Sequence, residues 1–244
     1  MSWLDGRQFA AAADGTPGTR EMTVRFRSVG GDGMPGPEQL LDNRSCDCCQ
    51  TDAALAQAGP VVVYRDRTED EIRDIYITRW TDDGWTEGEP VHSDGWHIAG
   101  CPVNGPAVGA RGSSVAVAWF TAAGDQPRVK VAFSSDGGAS FDEPVQLDGG
   151  DPAGRVDLIL EKDGSALVSW LERTGGEGAE VRIRRVKEDG SLSSPFTVAA
   201  SSSGRASGFP RMVQRGGGDL IMAWTDILSD EARVRVARVE IPGS

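Results

Sequence analysis

Residues Val115–Pro144 read VAVAWFTAAGDQPRVKVAFSSDGGASFDEP. Val115–Trp119 is a short apolar strand, and Arg128–Phe133 alternates polar and apolar residues, the period of a strand with one face buried. AAGDQ between them is a turn. The following Ser134–Phe141 reads as a second turn leading into a third short strand. Asp136 is placed to accept bonds from the turn's own N–H groups, and Gly137 and Gly138 supply positive φ. Phe141 then folds back beneath the turn as a plug.

The same order of elements recurs outward from this stretch. Strands ending in an aromatic stand at Trp3, Tyr64, Trp119, Trp170 and Trp224, the last four 55, 51 and 54 residues apart. An alternating strand follows each: TVRFRS, DIYITRW, RVKVAFS, EVRIRRV and RVRVARV. After four of these comes an Asp-Gly turn, at Asp32, Asp83, Asp136 and Asp189, and then a short edge strand rich in Pro or Glu. Four strands in about fifty residues, repeated, is the arithmetic of blades around an axis. A β-sandwich has similar strand spacing but does not predict the repeated aromatic.

Ser134, Asp136, Gly138, Ser140 and Phe141 carry the Ser-x-Asp-x-Gly-x-Ser-Phe pattern, which resembles the Asp-box, or BNR, repeat of sialidase-like β-propellers. The resemblance implies an all-β propeller of four-stranded antiparallel blades. It divides the chain into a partial blade over 1–45, blades over 46–95, 96–150 and 151–203, and an incomplete blade over 204–244. The first lacks an innermost strand and the last an outer one. The chain is therefore expected to be the C-terminal part, about five blades, of a six-bladed ring. A five-bladed ring with two defective blades is the alternative.

The net charge of −12 over 244 residues argues against nucleic acid and anionic membranes as partners. No apolar run approaches the ~20 residues of a membrane span. MSWLDGRQF lacks the apolar centre of an export signal, so an exported protein, periplasmic or secreted, would carry its signal upstream.

All four cysteines fall in two inter-blade loops: Cys46, Cys48 and Cys49 in the first, Cys101 in the next, which also holds both histidines, His92 and His97. Topology sets these loops side by side on one face. Three readings stand. One is a disulfide between Cys101 and Cys46, Cys48 or Cys49, in an oxidising compartment. Another is a copper or zinc site built from the cysteines and His97. The third is a set of inert buried thiols.

The same face is expected to gather Arg65, Asp66, Arg67, Glu172 and Arg211, with Asp52, Asp157, Arg155 and Arg205 among their neighbours. Arginines in a concave site fork onto a carboxylate or sulfate, and carboxylates beside them serve as acid or base. Mutually satisfied ion pairs in a polar channel are the structural alternative. The sialidase resemblance implies an anionic glycan, or another small anionic ligand, as the partner, bound or hydrolysed. It also implies three arginines and a Tyr nucleophile in the active enzymes. Here the only tyrosines are Tyr64, at a core aromatic position, and Tyr76, on an alternating strand. No catalytic residue carries over directly; Arg65, Asp66, Arg67, Glu172 and Arg211 are the candidates. A Cys/His metal protein and a disulfide-stapled scaffold are the alternative functions.

Overall fold

The computed structural model describes residues 1–9, 18, 21–176, 178–205, 207–215, 219–228 and 231–240. Ala206 and the last four residues, 241–244, of the expected final blade lie outside them. The chain is all-β and forms a propeller of five antiparallel sheets. The first holds β1 (Ser2–Asp5), β2 (Met22–Phe26) and β3 (Gln39–Ser45). The second holds β4 (Asp52–Leu55), β5 (Pro60–Arg65) and β6 (Ile75–Thr81), with β7 (Gly84–Trp85) and β8 (Glu89–Pro90) both pairing with β6. The third holds β9 (Ala107–Arg111), β10 (Ser114–Thr121), β11 (Arg128–Ser134) and β12 (Val145–Gln146). The fourth holds β13 (Pro152–Leu160), β14 (Ala166–Gly175), β15 (Gly178–Val186) and β16 (Phe196–Ser202). The last holds β17 (Gly208–Gln214), β18 (Leu220–Leu228) and β19 (Glu231–Val239).

The strands after each inner strand are apolar on both faces because they are sandwiched between neighbouring sheets. Tyr64, Trp119 and Trp170 are fully buried there. One apolar core lies at each junction of consecutive sheets. Val24, Tyr64 and Trp85 join the first to the second; Val63, Val117 and Trp119 the second to the third. Trp96, Phe120, Leu158 and Trp170 join the third to the fourth, and Leu171, Met222 and Trp224 the fourth to the last. Among the described residues no such cluster joins the last sheet to the first.

The turn over Ser134–Phe141 is held by its own side chains. Asp136 accepts from the Ser140 N–H at 2.9 Å and the Ser140 hydroxyl at 2.6 Å, and its carboxyl is held down at about 2, chiefly by the Ser140 hydroxyl. Ser134 Oγ accepts from the Gly138 N–H at 2.8 Å. Gly137 and Gly138 take φ of 75° and 87°. Phe141 packs against the core between the second and third sheets. The strand expected to follow at once does not form at Phe141. The outer strand begins only at Val145, because the backbone from Ser135 to Pro144 is spent on the turn.

Candidate functional site

Register places the groups that face the axis. Asp52 pairs with Val63, Ala107 with Ala118, Asp157 with Ser169 and Arg211 with Ala223, each partner standing one residue before a core aromatic. These four inner-strand positions are therefore equivalent. Asp52 accepts the N–H of Val108 at 2.8 Å, and Asp157 that of Met212 at 2.5 Å, so each carboxylate ties one inner strand to the next. Burial pushes both carboxyls above the usual range. Arg211, half exposed, donates to Asp157 at 3.1 Å.

A second equivalent set stands two residues after each core aromatic: Asp5, Asp66, Thr121, Glu172 and Asp226, all buried. Glu172 is fully engaged. It accepts from Trp170 Nε1 at 2.6 Å and from the N–H groups of Gly149 and Asp151. Asp5 accepts from Trp3 Nε1 and is paired with Arg7, whose guanidinium holds its carboxyl well below the usual range. Asp66 differs. Its aromatic partner, Tyr64, donates to Asp42 instead, at 2.5 Å. Burial, then the nearby Asp42 carboxylate, pushes the Asp66 carboxyl up to about 7.

Asp66 opens onto a cavity of about 590 Å³, shared with Asp42, Arg44, Arg67, Thr68 and Glu69. The backbone sets this up. The Cys46 N–H bonds to Arg65 O, a bridge joins Ser45 to Asp66, and the Asp66 N–H bonds to Asp74 O, so the first cysteine loop runs alongside β5. Arg67 is clamped by Glu71, with Nη2–Oε1 at 2.6 Å. Among the described residues Arg44 makes only long ion pairs, to Glu21 at 3.4 Å and Glu69 at 3.8 Å. The cavity thus holds four carboxyl groups, those of Glu21, Asp42, Asp66 and Glu69, and the guanidiniums of Arg44 and Arg67.

The candidates taken from the sequence separate. Asp66 and Arg67 share this cavity. Arg211 faces a second hollow, of about 570 Å³, with Trp3, Cys48, Cys49 and Phe209. Arg65 is a fully buried strut. It donates to the carbonyls of Asn104, Arg73 and Phe120, and its guanidinium lies 4.8 Å over the Trp96 ring. Arg65 and Glu172 are thus spent on structure. Asp42 and Arg44 were missed: they sit in PEQLLDNR, which reads as an edge strand and carries no motif. Phe209 and Arg155 hold φ of 54° and 59° at irregularities in β17 and β13, and the Arg155 guanidinium covers the Phe209 ring at 5.2 Å.

Cys48 and Cys101 form a disulfide that ties the two loops together. Cys46 and Cys49 are free, buried thiols with sulfurs 3.2 Å apart. The sulfurs of Cys46, Cys48 and Cys49 lie within 4.8 Å of one another, but with Cys48 in the disulfide only Cys46 and Cys49 of the three are thiols. His97 does not join them: it is exposed, its backbone bridged to Ile72.

Comparison with known proteins locates the fold. No family model matches the sequence, and no curated protein does. Solved structures do match. A Hadza microbial sialidase, Hz136, shares 16% identity over 90% of this chain and 50% of its own, with a TM-score of 0.54. The sialidase of Trypanosoma rangeli, in complex with a difluorosialic acid, shares 13% over 97% of this chain and 40% of its own, at 0.53. A thermostable family-43 glycoside hydrolase shares 13% over 79% of this chain and 68% of its own, at 0.50. The chain spans about half the length of the first of these sialidases. At such identities the likeness is one of fold: a sialidase-like propeller.

Proposed function

We propose that this chain is a sialidase-like propeller that binds an anionic glycan in the cavity between β3 and the end of β5, and hydrolyses it with Asp66 as the acid. One observation carries the reading. Asp66, with its carboxyl pushed up to about 7, shares a 590 Å³ cavity with the Asp42 carboxylate and the loosely paired Arg44. In the two-carboxylate route to glycosidic cleavage a carboxylic acid protonates the leaving oxygen and a second carboxylate works from the other side of the sugar ring, the part that a Tyr takes in the sialidases of the resemblance. An anionic sugar needs a guanidinium. The propeller likeness to sialidases supports the substrate class. A periplasmic or secreted setting agrees with the Cys48–Cys101 disulfide.

A fluorogenic sialoside tests this. Turnover by the protein, lost in Asp66→Asn, with sialic acid binding weakened in Arg44→Ala, is the expected result. Neither turnover nor calorimetric binding across a panel of sialosides and uronides would sink it.

A further inference from the structure

The four sulfurs are not arranged as two independent staples. Cys46 and Cys49 stand in Cys-x-x-Cys spacing, 0% and 1% exposed, beside a disulfide whose Cys48 lies between them in sequence. Donors surround the Cys46 sulfur. Arg73, itself buried and held by Glu71 at 2.7 Å, donates to it at 3.3 Å, and the Cys48 N–H points at it too. At the far end of the disulfide, Arg205 donates to Cys101 Sγ at 3.4 Å. A guanidinium therefore stands at the sulfur placed to attack and another at the sulfur placed to leave. The hollow lined by Cys48 and Cys49 gives a route in from solvent.

We propose that Cys46, Cys48, Cys49 and Cys101 form a single thiol–disulfide exchange unit, whose substrate is a small-molecule disulfide. The Cys46 thiolate attacks Cys48 Sγ. The Cys46–Cys48 bond forms, the Cys48–Cys101 bond breaks, and the electron pair leaves on Cys101 as a thiolate beside Arg205. Cys49 then gives its proton to water, attacks Cys46 Sγ, and releases Cys48 as a thiolate. The net change is an isomerisation, and no outside oxidant enters. The disulfide now joins Cys46 and Cys49, and Cys48 and Cys101 are thiols. One glutathione disulfide then oxidises them, so both Cys46–Cys49 and Cys48–Cys101 end as disulfides and two glutathione thiols are released. Cys48 attacks it, expelling one glutathione thiolate, and Cys101 resolves the mixed disulfide, expelling the second.

The roles follow from the surroundings. Arg73 donates to Cys46 Sγ at 3.3 Å and so stabilises a thiolate there, which makes Cys46 the first nucleophile. This inference does not depend on the glycan reading.

The test uses the whole chain in glutathione buffers of graded potential, quenched with acid, alkylated and mapped by mass spectrometry. Two singly oxidised isomers, Cys48–Cys101 and Cys46–Cys49, are expected together and in exchange. In Cys46→Ser the second isomer disappears and reduction of Cys48–Cys101 slows by about tenfold, the loss of an internal thiolate attack. Arg205→Ala keeps every sulfur, so it covers the case in which Cys46→Ser does not fold; exchange there slows several-fold with both isomers still present. One fixed pairing at every potential, or an unchanged rate in both variants, overturns the proposal. So does native mass spectrometry showing one zinc or copper held by four reduced thiols.

Discussion

The Asp66 carboxyl is the residue on which the proposed chemistry turns, and its environment predicts its pH behaviour. Its folded-state value of about 7 lies above the ordinary 3.8, so folding favours the protonated form. The stability this contributes is fully present below about pH 4 and is lost as the pH rises through 7, at roughly 1.4 kcal/mol per pKa unit. Asp66→Asn should therefore melt higher than the parent at pH 8 and close to it at pH 4, and thermal melts across that range read the difference. Any turnover should fall on the alkaline side of about pH 7, as the acid loses its proton. Glu172 makes the opposite case: three donors converge on its buried carboxylate. Glu172→Gln turns an amide towards donors it cannot accept from, and should cost on the order of 2–3 kcal/mol in urea unfolding.

Among the elements, the inner strands decide how the sheets meet. β9 approaches β13 so closely that a Cβ on Gly109 would come within 2.7 Å of Leu158 Cδ2 and 2.9 Å of Leu160 Cβ. Gly109→Ala should destabilise by about 1–3 kcal/mol through overpacking, seen as a lower denaturant midpoint with an unchanged slope. The Asp157 bond to the Met212 N–H works at the next junction. The Asp52 and Asp157 carboxylates are thus inter-sheet struts.

At the scale of the whole molecule, the Cys48–Cys101 bond closes a loop of 53 residues between the second and third sheets. In the loop-entropy relation such a closure contributes about 4 kcal/mol. Dithiothreitol should lower the unfolding free energy by up to that amount, measured by urea titration with and without reductant. The last sheet shows the opposite condition. Val234 and Val236 on β19 are 73% and 66% exposed, Val213 on β17 is 58% exposed, and among the described strands β19 pairs only with β18. An open apolar edge invites association. Val234→Lys with Val236→Lys should reduce light scattering at high protein concentration without lowering the melting temperature.

The recurring aromatic and the Asp-Gly turns made the propeller legible, because blade strands are buried by local alternation and their turns by local hydrogen bonding. The Ser134–Phe141 turn is the clearest instance: the side-chain bonds of Ser134 and Asp136 that shape it all lie within a few residues of chain. The neighbourhood of the two cysteine loops was also readable, since topology alone sets successive inter-blade loops side by side. Tertiary structure alone decided which charges are structural. Arg65, Asp66 and Arg67 are consecutive, yet the first is spent on three carbonyls, the second is driven towards neutrality, and the third is clamped by Glu71. It also chose Cys48 as the partner of Cys101, left His97 outside, and brought Asp42 to Tyr64. Repeat and turn are written in local periodicity. The protonation, pairing and engagement of a polar group depend on burial and on partners that include groups far along the chain, such as Asn104 for Arg65 and Asp42 for Tyr64, which no local pattern records.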